Sequence, residues 1–181
     1  EQYSVIGKQE DLTNIEWLNR GVALANLGKY HEAIEYFDKS IAMNPSEPRA
    51  WNDKGNTLAR LNQIPEAIRC FDKALELYPG YANGWCGKGI ALGKTGNYQG
   101  AIMCFNKALE IHPDHAEALN HKGLALGGLG NHQDAIRYYE RALEINPRDP
   151  TVLINMGASL SALLRYKEAV PYFDRAVGIN P

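Results

Sequence analysis

Residues Trp85 to Pro113 read WCGKGIALGKTGNYQGAIMCFNKALEIHP, and this stretch contains every element of a unit that recurs along the chain. Its Pro113 has equivalents at Pro45, Pro79, Pro147 and Pro181, 34 residues apart, and its Gly89 has equivalents at Gly21, Gly55, Gly123 and Gly157. A fixed internal period of that length is the mark of stacked supersecondary units, not of one enlarged globular core.

Working outward, the period sets five units, 14–47, 48–81, 82–115, 116–149 and 150–181, behind a lead-in segment, 1–13. Each unit carries two apolar patterns of helical period around a short break and so predicts an antiparallel helix pair, making the chain all-α. In the first helix Trp17, Trp51, Trp85, Leu119 and Leu153 stand one turn before the recurring Gly, and Leu24, Leu58, Leu92, Leu126 and Leu160 follow it. That places one buried stripe at i, i+4, i+7. A mid-helix Gly costs about 1 kcal/mol against Ala, so its recurrence predicts a notch where another helix backbone comes too close for a Cβ.

Gly28, Gly96 and Gly130 are placed to take the left-handed conformation that ends a helix. Asn62 tolerates that conformation; Leu164 does not, so the last such turn is expected to be strained or built differently. The second helix brings Ala33, Ala67, Ala101, Ala135 and Ala169, then Phe37, Phe71, Phe105, Tyr139 and Phe173, then Ser40, Ala74, Ala108, Ala142 and Ala176. Small residues one turn either side of an aromatic let helices approach while the ring fills the space between units. Thr13 with Glu16 predicts a capping box, Asp149 a cap, and Pro48, Pro65 and Pro150 helix openings, whereas Pro171 lies inside the last helix and is expected to bend it.

Composition limits the partners. Lys plus Arg is 19 against Asp plus Glu 21, a formal net charge of −2, which lacks the basic excess that phosphate backbones demand, so no nucleic acid is expected. No apolar run approaches the roughly 20 residues that cross a bilayer, and EQYSVIGKQEDLT has no signal-peptide pattern, so no membrane is expected either. Cys70 and Cys104 share one position in consecutive units, too far apart for a disulfide, and Cys86 has no counterpart. Three unpaired thiols point to a cytoplasmic setting. A start at Glu1, and not at a methionine, reads as a piece of something longer.

From Asn14 to Pro181 the chain resembles the tetratricopeptide repeat family, with Trp51, Gly55, Ala67, Phe71 and Pro79 on the family's signature positions. Arg20, Lys54, Lys88 and Lys122 depart from the usual Leu before the Gly, and their stems are expected to lie along a neighbouring helix. The resemblance implies a right-handed superhelical solenoid of five helix-turn-helix units and a non-catalytic scaffold that binds a protein or peptide ligand. The first helices would line the concave face.

Read by position, the peptide-binding candidates on that face are Arg49, Asn52, Asp53, Asn56, Asn83, Cys86, Ile90, Glu117, Asn120, His121, Leu124 and Asn155, over a floor of Ala and Gly. Asparagine offers donor and acceptor together, so a row of them can bond an extended peptide's backbone whatever its sequence. The family members that grip acidic chaperone tails use a Lys and Asn clamp, and the matching positions here, Asn52 and Asn56, Gly87, then Glu117 and His121, do not supply it. An alternative is a substrate-recruiting arm of a larger enzyme, such as the glycosyltransferases that carry similar arrays.

No catalytic constellation emerges and no cofactor is implied. The one dense group of ligand types is His112, Asp114 and His115 with Glu117 and His121, and zinc would need three of them to converge. His112 occupies a turn position that elsewhere holds Asn44, Tyr78, Asn146 and Asn180, and His115 lies in the same turn, so polar turn residues and no metal are expected. Gly84, Gly87, Gly89 and Gly93 are spaced somewhat like a phosphate-binding loop, but no strand precedes them. Finally, Val170, Phe173 and Val177 are expected to leave the last helix with an apolar outer face that invites end-to-end self-association.

Overall fold

A computed structural model describes residues 12–179; most of the lead-in, together with Asn180 and Pro181, lies outside the described residues. Ten helices follow one another: α1 (Asn14–Asn26), α2 (Tyr30–Met43), α3 (Pro48–Arg60), α4 (Ile64–Leu77), α5 (Ala82–Lys94), α6 (Tyr98–Ile111), α7 (Ala116–Gly128), α8 (His132–Ile145), α9 (Pro150–Ala162) and α10 (Tyr166–Ile179). No strand occurs among the described residues.

Local chemistry sets the helix ends. The Thr13 hydroxyl accepts from the Glu16 amide while the Glu16 carboxylate accepts from the Thr13 amide, closing the capping box at α1. At α9 the Asp149 carboxylate accepts from the Thr151 and Val152 amides. All five breaks inside a pair close in the same way: Lys29, Gln63, Asn97, Asn131 and Arg165 donate to the carbonyls of Leu24, Leu58, Leu92, Leu126 and Leu160, five residues back. That is the Schellman closure, and it requires a left-handed residue in the middle. Gly28, Gly96 and Gly130 supply it, Asn62 tolerates it, and Leu164 is held there at φ 61°.

A leucine in that region costs roughly 1–2 kcal/mol relative to glycine, and the Leu164 side chain, 72% exposed, gives little packing in return. Leu164→Gly is therefore expected to stabilise the chain by about 1 kcal/mol, read as a higher urea midpoint at unchanged slope. A lower midpoint would show that the leucine is packed after all.

Between pairs, a turn opens at Asn44, Tyr78, His112 and Asn146, whose carbonyls accept from Glu47, Tyr81, His115 and Asp149, with the periodic proline at its first central position. The free proline carbonyls in these turns find two different partners. Trp51 and Trp85 donate their indole N–H to Pro45 and Pro79 at 2.9 Å. In the later units leucine replaces the tryptophan, and Arg141 and Arg175, standing where the earlier units have Lys73 and Lys107, reach Pro113 and Pro147 instead.

Each second helix packs on the first helix of its own pair, and α2, α4, α6 and α8 pack also on the first helix of the next. First helices also touch one another in succession, α1 to α3, α3 to α5, α5 to α7 and α7 to α9, whereas second helices do not meet and the first and fifth pairs are apart. Closer spacing of the first helices puts them on the inside of the bend, so the array is a helical solenoid with an inner face made from α1, α3, α5, α7 and α9.

The recurring glycine is a notch, but for a different guest than expected. What comes too close is not a helix backbone but the aromatic ring of the same pair's second helix: a Cβ on Gly21, Gly89 or Gly123 would stand 2.6 Å from Phe37, Phe105 or Tyr139. Phe71 is wedged further, between Gly55 of its own pair and Gly87 of the next. Phe37, Phe71, Phe105 and Tyr139 are buried, as are the flanking alanines. Phe173 is only half-buried yet faces Gly157 and the core, so it does not join the outer face of α10; Val170 and Val177 do stand in solvent. Pro171 is accommodated inside α10.

Two of the basic residues before the glycine lie across the joints. Lys54 pairs with Asp38 and Lys88 with Asp72, each bridging to the second helix of the preceding pair. At the next position the acid is replaced by Asn106, and Lys122 turns to the Tyr138 hydroxyl of its own pair at 2.6 Å. The three cysteines are free and buried.

Candidate functional site

The inner face holds two adjoining hollows that share Ile90, Lys94 and His121. The first, about 640 Å³, lies over α1, α3 and α5 and is polar. It gathers eight of the residues predicted from position: Arg49, Asn52, Asp53, Asn56, Asn83, Ile90, Glu117 and His121. The second, about 540 Å³, lies over α5, α7 and α9, is mostly apolar, and gathers Ile90, His121, Leu124 and Asn155.

Two predicted residues line neither hollow. Cys86 and Asn120 belong to the row Leu18, Asn52, Cys86 and Asn120, and all four are buried because successive first helices close over that position. Asn120 is also occupied, since its carbonyl oxygen accepts from Asn155 at 3.0 Å. Ile154 ends the row and is half-exposed.

Asn52 differs from the rest of its row. It is 3% exposed, its amide donates to the Asp53 carboxylate at 3.1 Å, and its carbonyl oxygen is buried with no partner at the wall of the polar hollow. Leaving such an acceptor unpaired costs about 1–3 kcal/mol. Beside it, Asp53 pairs with Arg49 at 3.5 Å, while burial pushes its carboxyl above the ordinary range. Lys94 is spent on the Ala59 carbonyl at the end of α3, at 2.9 Å, and Arg60 stands exposed at the rim.

Sequence reasoning missed Tyr81, which enters the polar hollow from the turn before α5, and the apolar hollow's Tyr98, His132 and Ser159. Tyr98 leans from the start of α6 onto Gly128, where a Cβ would meet its ring at 2.7 Å. The only signal for it was the bare glycine pair at Gly127 and Gly128. His132 presents a buried, unpartnered Nδ1 in that hollow.

The histidine cluster read from sequence does not converge as a group. His112 is exposed and stands edge-on to His115 with ring centroids 5.9 Å apart, and His121 stacks on Phe105. His115 and Glu117 do come together, with Cys86 as the third member. Among the described residues no helix is long and apolar enough to cross a membrane.

Two family models, both described as tetratricopeptide repeat, match the chain, one over residues 80–148 and the other over 18–82 and 122–181. No curated protein matches the sequence. Among solved structures, a thermophilic TPR protein of Thermus thermophilus is 22% identical over 93% of this chain and 92% of its own, with a TM-score of 0.82. PilF of Pseudomonas aeruginosa is 19% identical over 93% and 77%, with a TM-score of 0.85. A chain of the APC/C Cut9-Hcn1 hetero-tetramer is 21% identical, matches 95% of this chain and 34% of its own, and has a TM-score of 0.88. At these identities the likeness is one of fold.

Proposed function

Because the chain belongs to the tetratricopeptide repeat family, whose arrays serve generally as non-catalytic protein-interaction scaffolds, we propose that its inner face binds an extended peptide along the two hollows. The polar hollow of about 640 Å³ carries this reading, because it gathers Asn52, Asn56 and Asn83 along one wall of an open trough. Side-chain amides such as those of Asn56 and Asn83 offer donors and acceptors to a peptide backbone. The neighbouring apolar hollow, floored by Gly93 and Gly127, suits an aliphatic or aromatic side chain of the same peptide. The occupant inferred is a peptide with a polar stretch followed by an apolar anchor.

Peptides selected on the native protein from a random display library test the reading. Binding is expected to weaken about tenfold for Asn52→Ala combined with Asn56→Ala, the equivalent of one or two lost hydrogen bonds. Equal affinity in a variant with an unchanged circular dichroism spectrum would move the site off this face. The exposed Val170 and Val177 of α10 support a second, weaker contact through that end, with another copy as the occupant.

A further inference from the structure

We propose that Cys86, His115 and Glu117 form a binding site for a zinc-type divalent ion at the joint between the third and fourth helix pairs. The Cys86 sulfur, a ring nitrogen of His115 and a carboxylate oxygen of Glu117 all lie within 4.8 Å of one another. Ligand atoms on one tetrahedral ion, with bonds of about 2.0–2.3 Å, stand roughly 3.5 Å apart, so side-chain shifts of about 1 Å close the set. Cys86 comes from α5, whereas His115 caps α7 and Glu117 sits in its first turn. An ion here ties one first helix to the next.

The His115 ring is held at both of its nitrogens. Its Nδ1 accepts from the Ala118 amide at a long 3.3 Å, which places the ring proton on Nε2, and Nε2 donates to the Asn83 carbonyl oxygen at 3.0 Å. Both ring nitrogens are thus held by one contact each, and an ion bound through either one displaces the contact which that nitrogen makes. Burial lowers the His115 pKa, which favours the neutral ring.

The ligand chemistry selects the ion. One sulfur, one nitrogen and one oxygen suit a borderline-soft cation such as zinc or cobalt and not calcium or magnesium. Burial, reinforced by the Glu117 carboxylate, keeps the Cys86 thiol protonated in the free protein. Binding breaks the S–H bond, forms a sulfur–metal bond and releases the proton to solvent, so affinity rises with pH. Thiolate and carboxylate together balance the divalent charge. Glu117 also lines the polar hollow, so the fourth coordination position is left to water or to an atom of a groove-bound molecule. The site needs no peptide and stands or falls independently of the groove.

The test is titration of the chelator-treated protein with cobalt, which reports a thiolate ligand by its charge-transfer absorption. A saturable one-to-one signal, displaced by zinc and stronger at higher pH, is expected. It is expected to vanish in Cys86→Ser and to survive Cys70→Ala combined with Cys104→Ala. His115→Asn retains a capping acceptor and Glu117→Gln alters an exposed side chain, so both variants keep the fold; each is expected to weaken cobalt binding about tenfold or more. A native protein with no charge-transfer signal, a signal that outlives Cys86→Ser, or unchanged affinity in both His115→Asn and Glu117→Gln would overturn the proposal.

Discussion

Phe71→Ala is expected to lower the unfolding free energy by about 4 kcal/mol, the middle of the range for deleting a buried aromatic ring. The ring is 0% exposed and sits between two glycines, Gly55 in α3 and Gly87 in α5, which have no side chain to move into the space it leaves. A Cβ on Gly87 would lie 2.5 Å from its Cε1, so the two helix backbones are already as close as the ring permits. The Schellman closures on either side hold the helix ends in register and oppose collapse of the cavity. Because each pair finds its interior only against the next, the loss falls on a joint between units as well as on one unit.

The unfolding transition of Phe71→Ala is accordingly expected to broaden, with far-ultraviolet dichroism falling in two steps where the native chain shows one. Phe173→Ala, at a half-buried ring with a glycine on one side only, is the internal comparison and should cost about half as much. Equal losses at the two positions would mean that neither the fuller burial of Phe71 nor its second glycine adds to what the ring contributes.

Gly89→Val carries the second-largest effect, a loss of about 3 kcal/mol from overpacking. A Cβ there would stand 2.6 Å from Phe105 Cε1, and that ring is itself buried and cannot retreat without parting α5 from α6. One turn further along the same helix, a Cβ on Gly93 would meet nothing nearer than 3.9 Å. Gly93→Ala should therefore gain up to about 1 kcal/mol from helix propensity, opposite in sign to its neighbour. Combining Gly89→Val with Phe105→Leu makes room for the new methyls, and the pair is expected to lose less than the sum of its single changes. Strict additivity would show that the ring and the notch are not in contact.

The groove shows how far position alone carries a reading. Helical period put Arg49, Asp53, Asn56 and Glu117 on the inner face, and the structure collects them around one polar hollow. The same period assigned Asn52, Cys86 and Asn120 to that face without revealing their depth. They are buried because the first helices draw together on the inside of the bend, a consequence of curvature between units and not of any pattern within one. Tyr81 and Tyr98 escaped notice because they enter the hollows from the turn before α5 and from the start of α6, away from the stripe being read.

By itself the amino-acid sequence determined the helices, their ends and their order, because caps, left-handed closures and proline turns act within a few residues and each leaves its residue type on the chain. Only the tertiary structure decided which atoms meet across a joint: that the glycine notch receives a ring, that Arg141 and Arg175 take over the proline carbonyls where tryptophan is missing, and that Cys86 faces His115 and Glu117. Those meetings depend on the angle and spacing between helices some 30 residues apart. These are set by the summed packing of both faces, a quantity that no single residue records.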